Sequence, residues 1–146
     1  MFKTILLSYD GSDHAQNALA TALTVAKTFG AKLGVAHTPQ MDTPPIVVGA
    51  FVGMLEKPPT QAQIAEAGEH VLAEVRKQAD AAGVQLASTH IGKGDPAQHT
   101  LSVAKELDAD LIVMGRRGLG AVGSLALGSV SQAVSHGASC ACLTVV

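Results

Sequence analysis

The sequence predicts an α/β fold: one domain built on a five-stranded parallel sheet with helices on both faces. Three observations point to it. Short apolar runs alternate along the whole chain with segments whose apolar residues recur at helical spacing, the pattern of successive strand–helix units. Asp110-Leu-Ile-Val-Met114 is almost continuously apolar, as a central strand buried on both faces must be. A length of 146 residues suits one domain, and it can bury about two-thirds of its unfolded surface without disulfide or metal support.

Residues 2–9 read as the first strand. Ser12 then caps a helix whose inner face carries Ala15, Ala18, Leu19, Ala22, Leu23 and Ala26. That face is rich in alanine and allows close approach to a sheet; Gly30 suits its end. Residues 32–38 give the second strand. Thr60 and Gln63 form a capping box for a second helix, with Ile64, Val71, Leu72, Val75 and Ala79 on one face and Gly83 at its stop. Glu66, Glu69, Glu74, Arg76 and Lys77 fall largely off that face and suit solvent. Val84–Ile91 is the third strand. Asp95-Pro96 is a cap followed by proline at the first helical position, and the helix it opens should bury Leu101, Ala104 and Leu107. The fourth strand, 110–114, a helix from Ser129 to His136 and a final strand within 140–146 complete the order.

Between the second strand and the second helix, residues 39–59 carry prolines at 39, 44, 45, 58 and 59 around the uncharged run Ile46–Leu55. That run is too short to span a bilayer, and a long apolar loop is either a flap on its own domain or a surface for a protein partner.

The net charge of −2 gives no electrostatic reason to expect nucleic acid, and no uninterrupted apolar stretch of about 18 residues predicts a membrane span. The N-terminal run reads as a strand and not a signal peptide, which leaves a cytoplasmic address by default. Cys140 and Cys142 would share one face of a strand, where a disulfide has poor geometry; they read as small core residues. The histidines His14, His37, His70, His90, His99 and His136 are scattered and suggest no metal centre. His136, close to a helix end, suits the dipole there.

The chemistry is concentrated after the fourth strand. The sequence runs Gly115-Arg116-Arg117-Gly118, then nine residues, then Gly128-Ser129 at the start of a helix. A strand, a glycine loop and a helix N-terminus together hold phosphate, since loop N–H groups and the positive end of the dipole face the anion. The spacing is neither that of a P-loop nor the GxGxxG fingerprint. Gly-x2-Gly-x9-Gly-Ser does resemble the nucleotide-binding signature of the universal stress protein family, and the N-terminal strand ending in Asp10-Gly-Ser12 and the terminal Leu143–Val146 strand agree with it.

The resemblance implies a Rossmann-like sheet of order 3-2-1-4-5, one nucleotide-binding domain over 1–146, and ATP as ligand, with Mg²⁺ as a companion. The switch point then lies between the first and fourth strands, where α/β sheets bind ligands. Gly115, Gly118 and Gly128 would bring main chain to a polyphosphate, with Ser129 capping the helix and donating to phosphate and Val130 following it. Arg116 and Arg117 either neutralise phosphate or form a solvated pair. Asp10 accepts ribose hydroxyls, reaches phosphate-bound Mg²⁺, or caps the first helix. The resemblance also places Ser8, Tyr9, Thr38 and Met114 at the nucleotide; members of the family often carry alanine or proline in place of Ser8 and a branched aliphatic residue in place of Thr38.

No nucleophile–base–orienter set is visible, which favours a regulatory binding protein over a slow ATPase or adenylyl-transfer enzyme in the same crevice. Leu143, Val145 and Val146 form an unprotected apolar edge, and pairing with a second copy through this strand predicts a homodimer, as the resemblance also implies.

Overall fold

The computed structural model describes residues 1–40, 58–119 and 127–146. The apolar run 46–55 and the middle of the glycine loop lie outside the described residues. The elements are β1 (Thr4–Ser8), α1 (Asp13–Phe29), β2 (Lys32–His37), α2 (Gln61–Ala81), β3 (Leu86–Ile91), α3 (Pro96–Glu106), β4 (Leu111–Gly115), α4 (Ser129–Gly137) and β5 (Ala141–Val145). All strand pairs are parallel, as the sequence pattern predicts, and the order is β3-β2-β1-β4-β5, as the family resemblance implies.

The side-chain period of two along a strand divides the core into two layers. Ile5, Leu7 and Tyr9 point to one face of the sheet with Val35 and Val113, where the alanine face of α1 and Leu72, Val75 and Ala79 of α2 cover them. Leu6, Ala36, Ile112 and Met114 point to the other, under Ala97, Val103 and Ala104 of α3 and Val134 of α4. The α1 residues expected to be buried are the buried ones. Cys140 and Cys142 are half-buried against the second layer, and burial pushes both thiols up in pKa, as packing residues require.

The helix signals act as read. Ser12 Oγ accepts from Ala15 N, Thr60 and Gln63 bond reciprocally, and Asp95 accepts from Ala97 N and Gln98 N. Two readings need correction. The inner face of α3 is Ala97, Thr100, Val103 and Ala104, while Leu101 and Leu107 are only partly buried. Counting aliphatic residues missed Thr100, which is 2% exposed because its hydroxyl has a partner on β1. The third strand begins at Leu86; Val84 belongs to the core but lies ahead of the pairing, which shifts register between Leu33 and Gly34.

Candidate nucleotide site

The carboxyl ends of β1 and β4 lie side by side, with Ser8 level with Met114. Beyond them opens a cavity of about 430 Å³, inside the range of about 300–1,000 Å³ usual for small-ligand sites. Of the residues singled out in the sequence, Ser8, Tyr9, Asp10, Thr38, Met114, Gly115, Arg117, Gly118, Gly128, Ser129 and Val130 border it. Thus the end of β1, the residue after β2, the end of β4 and the N-terminus of α4 converge on one crevice.

Arg116 is the exception. Its main chain is a junction: the N–H donates to Val145 O at 2.6 Å, and the carbonyl accepts from Gly128 N and from Ser131 Oγ, both at 2.8 Å. Arg117 alone of the pair faces the cavity. The Nε atoms of both arginines are sealed from solvent with no partner among the described residues. Tyr9 also differs from a simple contact residue. Its ring belongs to the α1/α2 layer, its hydroxyl accepts from Gln16 Nε2, and burial with the nearby Asp10 charge raises its pKa. The Tyr9 side chain thus belongs to the core layer, although the residue stands at the cavity border.

The cap of α4 is Gly128, not Ser129, and it makes no side-chain bond to the first turn. The leading N–H groups of α4 are left open on the cavity side, the condition under which a helix start holds an anion. Ser129, at the first helical position, lines the cavity with a hydroxyl that has no partner among the described residues. Ser131, which the sequence reading passed over, spends its hydroxyl on the loop carbonyls.

The glycines act differently from a bare phosphate cradle. A Cβ on Gly115 would stand 2.9 Å from Ala15 N and from His14 C, so this glycine lets the start of α1 dock on β4. A Cβ on Gly118 would come within 2.5 Å of Asp10 Oδ2, and one on Gly128 within 3.3 Å of Arg116 O. The missing side chains let the loop close on itself and on Asp10 first. Asp10 in turn accepts from Ser12 N at 3.0 Å through Oδ1 and from Leu119 N at 3.3 Å through Oδ2. Ser12 Oγ donates to Arg117 O, and Arg117 N donates to His14 Nδ1, so α1 and the loop are bonded as a unit.

A sequence model described as the universal stress protein family matches residues 1–145. The chain belongs to the universal stress protein family. It is 44% identical to a universal stress protein of Thermus aquaticus, with 99% of each chain covered. It is 32% identical to a Bacillus subtilis universal stress protein, again over 99% of both. Among solved structures it is similar to a universal stress protein in complex with cAMP, at 26% identity and a TM-score of 0.73, covering 99% of this chain and 97% of that one.

Two polar pairs link α3 to the strand ends beside the cavity. Ser8 Oγ and Thr100 Oγ1 pair at 2.9 Å, and Thr38 Oγ1 lies 2.9 Å from His99 Nδ1. Thr100, Pro96 and Gln40 border the cavity and were not legible as site residues, since no motif marks them. Among the described residues no group of three or more His, Cys, Asp or Glu is placed to hold a metal, and no helix is long and apolar enough to cross a membrane.

Proposed function

We propose that this universal stress protein binds an adenine nucleotide, ATP foremost, and works as a homodimeric regulatory module of the stress response and not through turnover. The observation that carries the reading is the polar end of the cavity. There the uncapped start of α4, Ser129 and the cationic residue Arg117 border the same cavity. Open helix N–H groups and a guanidinium on one wall are the donors that a phosphate accepts from. Ala36, Pro96 and Met114, with Thr38, supply more apolar lining of the kind that suits a base.

Among the described residues that line the cavity, Asp10 is the one carboxylate. Both of its oxygens already accept an N–H, and each keeps a further lone pair for a ribose hydroxyl or for Mg²⁺ on the phosphates. The cAMP bound to the family member at 26% identity supports an adenine ligand.

The dimer reading rests on β5, an edge strand of the sheet, with Leu143 37% and Val146 59% exposed. Antiparallel pairing of two identical edges about a two-fold axis covers these residues and closes without polymerising.

Calorimetric titration with ATP, AMP and cAMP, with and without Mg²⁺, tests the ligand. Saturable binding of at least one at a stoichiometry of one per chain is expected, and no binding by folded protein refutes the reading. Multiple-turnover assays should give no kcat in the ordinary enzyme range of about 1–10³ s⁻¹.

A further inference from the structure

The pair Thr38–His99 has no part in the reading so far. Thr38 lies just beyond β2, is 7% exposed and borders the cavity. His99 does not border it, and touches it only through the Thr38 hydroxyl, 2.9 Å from Nδ1. The imidazole is held in place by close packing: a Cβ on Gly92 would come within 2.4 Å of the ring.

A hydroxyl has one proton and two lone pairs. In the neutral ring that carries its proton on Nε2, Nδ1 is bare, and Thr38 donates to it and turns its lone pairs to the cavity as acceptors. When the imidazole is protonated, both nitrogens are donors. Thr38 must then accept from Nδ1–H, and its own proton is released towards the cavity. The charge state of a ring outside the site thus sets the polarity of a group inside it.

Burial, and then the nearby His90 and His37, hold the His99 pKa below its ordinary value. His90, on β3, is bonded to Ser88 Oγ at 3.0 Å, and His37, on β2, to Tyr9 O at 2.7 Å. On α3 itself the Asp95 carboxylate is taken by the amides of Ala97 and Gln98. Among the described residues no carboxylate is one of the groups that shift His99, and the lowered pKa favours the neutral ring. It takes up its proton only as pH falls below the usual histidine range.

We propose that Thr38 selects the base by accepting from the exocyclic amine of adenine, and that protonation of His99 turns this preference towards a 6-keto purine. The inference rests on the adenine-nucleotide reading above.

The test compares ATP with inosine triphosphate by calorimetry between about pH 7.5 and about pH 5. The two share one triphosphate, so phosphate titration and the added charge of His99 cancel in the ratio of affinities. In the wild type the ATP-to-inosine-triphosphate ratio should fall about fivefold across this range, the worth of one ordinary hydrogen bond. In Thr38→Val, which keeps the shape and removes the hydroxyl, and in His99→Asn, which keeps a hydrogen-bonding group and does not titrate, the ratio should be flat. Thermal melts at each pH establish that each protein is folded. A flat wild-type ratio, or a fall equally steep in His99→Asn, overturns this proposal alone and leaves the nucleotide reading standing. If folded protein binds neither nucleotide at any pH, both fail together.

Discussion

Replacing Gly118 with valine is the sharpest test of how the site is built. Gly118 is not among the glycines with positive φ, so valine brings no backbone strain of the left-handed kind. The effect is steric: the new Cβ would stand 2.5 Å from Asp10 Oδ2, and an ordinary contact needs roughly 1 Å more. The carboxylate or the loop must move by about that distance. Either motion breaks the bond from Leu119 N and disturbs that from Ser12 N, the contacts that hold Asp10 at the rim. Losing the placed carboxylate and the loop geometry together should weaken ATP by well over tenfold, more than ~1.4 kcal/mol in binding. Calorimetry on Gly118→Val, Asp10→Ala and the double variant forms a cycle. If the clash is the cause, the double variant binds about as well as Asp10→Ala alone, because the struck group is gone. Wild-type affinity in folded Gly118→Val, or fully additive losses in the double variant, would refute the reasoning.

Asp10→Ala should itself reduce ATP affinity; a loss seen equally with and without Mg²⁺ assigns it to ribose, a loss seen only with Mg²⁺ to the metal, and no loss leaves it a cap. Leu143→Asp, placing charge on the exposed edge of β5, should convert dimer to monomer by light scattering; a wild type that is monomeric at micromolar concentration already contradicts the dimer. Gly68→Ala in α2 should destabilise the fold by about 1 kcal/mol in urea unfolding: alanine gains about 1 kcal/mol of helix propensity, but its Cβ would lie 2.6 Å from Ile91 Cγ2, and such overpacking costs about 1–3 kcal/mol. Increased stability would show that Ile91 yields freely.

Local chemistry made most of the fold legible. Ser12, Thr60 with Gln63, and Asp95-Pro96 are caps whose bonds form within a few residues, so the sequence carries them whole. The inner face of α1 was equally plain, because alanine and leucine repeat at the helical period. Strand order was not read from periodicity; it came with the family spacing, since nothing local says that β1 neighbours β4. The site divides in the same way. The glycine positions and Asp10 carry their own signature, whereas the choice of Arg117 over Arg116 depends on which main chain is taken up by Val145 and Gly128, a fact of tertiary contact. Thr100 and His99 looked like ordinary helix residues, and only their partners Ser8 and Thr38, distant in sequence, give them meaning.

The junction at Arg116 bears on motion in the loop. Its amide is given to a carbonyl of β5, and its own carbonyl is shared by the loop's far end and by α4. A backbone proton so held is released by local opening of whatever holds it. The Arg116 amide should therefore exchange with deuterium in step with the last strand, slowly, although it stands in a glycine-rich stretch of the sequence. Opening that exposes this amide must then also part the end of β5 from it, so one exchange rate reports on both.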